Sequence, residues 1–233
     1  MNGLPATSGQ GAGAWPKERR VLDWRWLSLA VEFGLLPVAV GWLVPPQWWL
    51  PTLWLVAALA GWRLQRRALE PARADWRPVA WTDERTELNR IVARYAGGVL
   101  LAIAVVTLWM PDHLFDFPRQ RTGLWLAVMV LYPLLSVYPQ ELLFRRYFFA
   151  RYHGLLGPNW LVALASAAAF GWMHLIFRNE WAIGLTLIGG WLFADTYRRT
   201  GSLWLVCLEH ALYGNLIFTV GLGRFVFHGA VRT

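Results

Sequence analysis

Apolar residues in this chain gather in long blocks instead of alternating with polar ones. Such blocks cover residues 26–44, 48–62, 96–110, 123–138, 159–177, 181–197 and 203–222. A hydrocarbon core of about 30 Å takes about 20 apolar residues at a rise of 1.5 Å each, so each block reads as a membrane-spanning helix. Breakers divide them: Pro45-Pro46, the basic cluster Arg63, Arg66 and Arg67, and Pro111. Ahead of the third block, Leu88, Ile91, Val92 and Tyr95 recur at helical spacing, which predicts an interfacial helix starting around Thr82-Asp83. Residues 111–122 are expected as a loop, and the fourth block is expected to continue as helix beyond Tyr138.

The predicted fold class is therefore all-α, a polytopic transmembrane helix bundle of about seven spans. Residues 1–20 read as a disordered cytoplasmic tail, 24–110 as N-terminal transmembrane helices with an arginine-rich cytoplasmic segment at 63–95, and 123–222 as the core. No apolar stretch follows basic residues in the manner of a signal peptide, so the first span is expected to act as the insertion signal.

Composition sharpens this picture. The chain has 233 residues, 57% hydrophobic and 15% charged, where a soluble domain carries about 25% charged residues. Seventeen tryptophans fit membrane–water interfaces, where an indole keeps one edge apolar and one wet. The net charge of +8 is scattered between apolar blocks and forms no basic patch interleaved with aromatics, so nucleic acid is not an expected partner. With the N-terminus inside and an even alternation of spans, 17 of the 22 Lys and Arg residues fall on the cytoplasmic side. That asymmetry is the positive-inside signature, and it predicts a multi-pass inner-membrane protein with a cytoplasmic N-terminus. The single cysteine, Cys207, excludes an internal disulfide and reads as a small packing residue.

Ionisable residues at bilayer depth are costly and usually face a cavity or a partner. Glu141, His174, Asp195, Glu209 and His210 stand out in the second half, with only Glu32 in the first. Counting along the helices puts Glu141 about 16 Å, His174 about 22 Å and His210 about 11 Å from their cytoplasmic ends, at 1.5 Å per residue. The three can therefore meet. Taken singly, each has a plainer reading. Glu141 can form a structural ion pair with the neighbouring arginines, and each histidine can be a packing residue. Asp195 reads as a boundary residue paired with Arg198 or Arg199, and Arg145 and Arg146 as side chains snorkelling to the interface.

Three motifs carry a resemblance. Gln140-Glu141-Leu142-Leu143-Phe144-Arg145, Phe170-Gly171-Trp172-Met173-His174 and His210-Ala211-Leu212-Tyr213-Gly214-Asn215 stand in order on separate predicted helices. Together they resemble the CPBP intramembrane proteases, which comprise type II CAAX prenyl endopeptidases and the bacteriocin-processing Abi proteins. The pattern of that family is Glu-Glu-x-x-x-Arg, Phe-x-x-x-His and His-x-x-x-Asn/Asp. Two positions depart from it. Gln140 stands at the first glutamate, and Asn215 lies one residue late, with Gly214 at the family position. On a regular helix that residue turns Asn215 by about 100°, so its return to the site requires a π-bulge.

The resemblance implies a CAAX-protease-like core and an intramembrane endopeptidase acting on a membrane-associated or lipid-proximal peptide. It implies Glu141, His174 and His210 as catalytic residues, with Gln140, Arg145, Asn215 and Glu209 in support. In one form Glu141 is the base; in the other Glu209 supplies the carboxylate and Gln140 donates to the oxyanion or to a substrate amide. An amide does not titrate, so Gln140 itself is no base. No cofactor is required on this reading. A zinc ion on Glu141, His174 and His210 is the alternative, although no His-Glu-x-x-His helix is present. Two further readings stay open: a non-catalytic chaperone or immunity protein that binds membrane peptides, and a transporter using these groups as a proton relay.

Overall fold

The computed structural model describes residues 23–68, 78 and 83–226. The tail at 1–20 and most of the loop within the arginine-rich segment 63–95 lie outside them. The described residues are helical, with no strand among them. Eight helices follow in order: α1 Trp24–Leu43, α2 Trp49–Ala68, α3 Glu84–Trp109, the short α4 Asp116–Gln120, α5 Thr122–Leu156, α6 Asn159–Phe177, α7 Glu180–Thr200 and α8 Leu203–Val220. Five of them, α1, α3, α5, α6 and α8, are long and apolar enough to cross a membrane. Helices α2 and α7 have 20 and 21 residues, a span's length at 1.5 Å each, but both finish in arginines. The protein is an all-α polytopic membrane protein.

The outer surface agrees with a lipid environment. Trp42, Leu43, Leu108 and Trp109 are 71–80% exposed at helix ends, a large cost in water that vanishes in a bilayer. The interior is aromatic and joins both halves of the chain. Phe33 of α1 packs edge-on against Phe144 and Phe148 of α5, with centroids 5.5 and 4.9 Å apart. Between α6 and α7 the backbones approach closely. A Cβ on Gly171 would lie 2.5 Å from Leu187 Cδ2, the small-residue contact expected where helices associate in lipid.

Two expectations are corrected here. The segment around 84–95 is not a separate interfacial helix, because α3 runs unbroken for 26 residues into the third span. Its charged first turns find partners on α7 instead of the interface. Glu87 is fully buried and holds Arg199 Nη2 at 2.7 Å and Arg90 Nη1 at 2.7 Å. The expected loop at 111–122 contains a 3-10 turn, Pro111–His113, and the helix α4. Gly221 ends α8 at φ 104, and a Cβ there would sit 2.1 Å from the His113 carbonyl oxygen. Only glycine fits that turn.

Candidate active site

Helix α5 carries the first motif, and its prolines shape the site. Proline offers no N–H to the carbonyl four residues before it, and its ring crowds that turn. Pro133 opens a π-turn, Pro133–Val137, and a second π-turn, Leu142–Tyr147, follows the four-residue α segment Tyr138–Glu141. Gln140 and Glu141 therefore sit between two widened turns. The carbonyls facing the prolines are answered from other helices. Trp54 Nε1 donates to Leu135 O at 2.8 Å, opposite Pro139, and Asn215 Nδ2 donates to Met129 O at 3.2 Å, opposite Pro133.

Glu141 and Arg145 are both fully buried. Glu141 Oε1 accepts from Nδ1 of His210 at 2.7 Å, and its Oε2 lies 3.1 Å from Arg145 Nε. That second contact is an ion pair without hydrogen-bond alignment, since neither atom has a hydrogen-bond partner. Arg145 does not snorkel. Its Nη1 donates to Ser166 Oγ at 2.7 Å, and Ser166 passes the bond to Phe144 O at 2.5 Å. Arg146, the neighbour, is exposed.

His210, on α8, has both ring nitrogens engaged. Nδ1 faces Glu141, and Nε2 is 2.9 Å from the Tyr132 hydroxyl. Phe193 of α7 stacks on its ring at 4.6 Å and 17°. His174 sits where α6 tightens into the 3-10 turn His174–Phe177. Its Nδ1 is 2.7 Å from Phe170 O. A carbonyl only accepts, so Nδ1 carries the proton and Nε2 of the neutral ring presents a lone pair. Phe170 lies between the two histidines, with centroids 4.7 Å from His174 and 5.5 Å from His210.

An apolar cavity of about 930 Å³ opens beside this group. Tyr132, Ser136, Gln140 and His174 supply polar groups to its wall, as do Glu32 and Arg63. Glu32 is held by Tyr147 at 2.9 Å, Tyr152 at 3.0 Å and Arg63 at 3.0 Å, which ties α1 and α2 to α5. Gln140 donates to Ser136 Oγ at 2.7 Å, and its Oε1 is buried without a partner. Neither Glu141 nor His210 lines the cavity; His210 is joined to its wall through Tyr132.

The remaining candidates point elsewhere. Glu209 is fully buried, accepts from Thr196 Oγ1 at 2.7 Å and lies 2.9 Å from Arg94 Nη2. It belongs to an ion network of Glu87, Arg94, Asp195 and Arg199, where Asp195 also pairs with Arg198 at 2.6 Å. Asn215 does not swing towards His210, because α8 is regular there and the amide is taken by Met129 O. The π-turns lie in α1 and α5 instead. Sequence reasoning missed Tyr132, Ser136, Ser166 and Phe193, all neutral residues whose role depends on which helix they face. Among the described residues no three His, Cys, Asp or Glu side chains are grouped to hold a metal ion. With both His210 nitrogens occupied, the zinc set does not fit.

A buried acid–imidazole pair beside an apolar cavity, inside a polytopic helix bundle, defines a class of intramembrane site. Residues 121–216 match the family model described as type II CAAX prenyl endopeptidase Rce1-like. All three motifs lie within that segment, and the resemblance to the CPBP proteases is borne out by it. At the general level the match is to a protease family. No curated protein and no solved structure matches the chain.

Proposed function

We propose that the protein is an inner-membrane endopeptidase, its N-terminus cytoplasmic, that hydrolyses a peptide bond of a membrane-associated peptide without a metal. The observation that carries this reading is the 2.7 Å contact of Glu141 with His210, set beside a cavity into which His174 opens. Glu141 and His174 act at different places. His174 Nε2 removes a proton from a cavity water as the oxygen attacks the scissile carbonyl, and returns it to the departing amine. The attack makes a tetrahedral oxyanion, and collapse breaks the C–N bond. Glu141 acts through His210, fixing its ring, while Arg145 keeps the carboxylate in place by charge. Gln140 binds: its unpartnered amide oxygen is an acceptor for a substrate N–H or the attacking water. The apolar wall suits a lipid-modified or hydrophobic peptide, and a prenylated CAAX peptide is the first to try.

The test is cleavage by the purified protein in proteoliposomes, with a quenched farnesylated CAAX peptide beside an unprenylated membrane peptide. Wild type is expected to cleave at least one of them, and His174→Ala to lose about 10²–10⁴-fold, the range for a general base. An inactive wild type, or an unaffected His174→Ala, refutes the reading. An inactive wild type that still binds the peptide would instead mark a non-catalytic peptide binder.

A further inference from the structure

Position 214 is glycine, and the space its side chain would fill is occupied from α5. A Cβ on Gly214 would lie 2.3 Å from Tyr132 Cε1 and 2.5 Å from the Tyr132 hydroxyl oxygen. The tyrosine and any larger residue at 214 therefore exclude each other, since a packed interior has no slack of that size. The gap admits a phenol to a defined place. Its oxygen is 2.9 Å from His210 Nε2, and its ring stands edge-on to His210 and to Phe218, at 76° and 79°. Tyr132 also lines the cavity.

Glu141, His210 and Tyr132 thus form a continuous chain of carboxylate, imidazole and phenol that ends on the cavity. A phenol oxygen has one hydrogen to give and lone pairs to receive with. When Nε2 carries the hydrogen of the 2.9 Å contact, the Tyr132 oxygen receives it and the phenol hydrogen is free for the cavity. Of the groups on the cavity wall, Gln140 spends an amide hydrogen on Ser136. The Asn215 amide is turned to Met129. The Tyr132 hydroxyl in this wall is joined to buried Glu141 through His210.

We infer that Tyr132 is a catalytic residue whose hydroxyl, held by His210, donates a hydrogen bond to the oxyanion of the tetrahedral intermediate. This rests on the endopeptidase reading. An oxyanion donor acts on the transition state, not on the bound substrate, so its loss falls on kcat.

The test uses the full chain in proteoliposomes with the quenched farnesylated CAAX peptide, or with whichever peptide wild type cleaves. Tyr132→Phe keeps the ring and removes only the oxygen. It is expected to lower kcat about 10²–10³-fold, as loss of one oxyanion donor does, and to leave KM within about twofold. Thermal unfolding of Tyr132→Phe controls for folding. In Tyr132→Ala combined with Gly214→Asn, an asparagine one turn after His210 puts an amide donor into the vacated space. That pair is expected to exceed Tyr132→Ala alone in kcat by about tenfold, a part of one donor's worth. Tyr132→Phe at the wild-type kcat overturns the assignment, and so does a loss confined to KM. If wild type cleaves nothing, the endopeptidase reading falls first and takes this assignment with it.

Discussion

Glu141 and His210, 69 residues apart along the chain, meet at 2.7 Å with the carboxylate held on its other side by Arg145. Neither oxygen of Glu141 faces the cavity, while the neighbouring Gln140 does. The acid in this site therefore sets the orientation of an imidazole. That division of labour separates its expected phenotype from that of the nearby Glu209.

Glu141→Gln is expected to lower cleavage about 10²–10⁴-fold, because an amide at 141 carries no charge to hold His210 as a donor to Tyr132. Glu209→Gln should leave cleavage within about threefold and cost about 1–3 kcal/mol of stability, since its bonds go to Thr196 and Arg94. Peptide cleavage and thermal unfolding of the two variants, side by side, check both. Equal activity losses would argue against the separation.

Asn215 is expected to matter for stability and little for turnover. Its amide answers the Met129 carbonyl that Pro133 leaves without a donor. Asn215→Ala should cost about 1–3 kcal/mol, the penalty for a half-buried carbonyl that loses its donor. In a Pro133→Ala background, where residue 133 regains its N–H, that cost should shrink by about 1 kcal/mol or more. A double-mutant cycle followed by unfolding measures the coupling, and additivity would contradict it.

Gln140→Glu puts a titrating group on the cavity wall that His174 also lines. Cleavage is expected to rise and the pH–rate profile to gain a second ionisation, because a carboxylate there offers a second base for water. A slower variant with an unchanged profile would show that the amide is needed as it stands.

Removal of metal is expected to change nothing. Dialysis against a strong chelator such as EDTA or phenanthroline should leave peptide cleavage at its starting rate, since Glu141 and His210 are tied to each other and His210 to Tyr132. Loss of activity restored by added zinc would reverse that view.

Much of this was legible in the sequence, for stated physical reasons. Apolar blocks of span length place α1, α5, α6 and α8 within a few residues, because hydropathy and proline are local properties. Charge and order made Glu141, His174 and His210 conspicuous, because ions at bilayer depth are rare. What one dimension hides is azimuth. Glu209 and His210 are adjacent, yet one faces Arg94 and the other Glu141. The place expected of Asn215 failed for the same reason, since the widened turns fell in α5 and not in α8. Tyr132 was invisible as well. Nothing marks a tyrosine before a proline as the partner of a histidine 78 positions away, although the glycine at 214 was in view throughout.

The leucines at 36, 50, 124, 131 and 135 both border the cavity and stand exposed. With the chamber open to the acyl chains at these leucines, an entrant dissolved in the bilayer would arrive sideways. Encounter frequency then follows the number of peptides per lipid, and diluting them with extra phospholipid should slow turnover even when their amount per millilitre stays fixed.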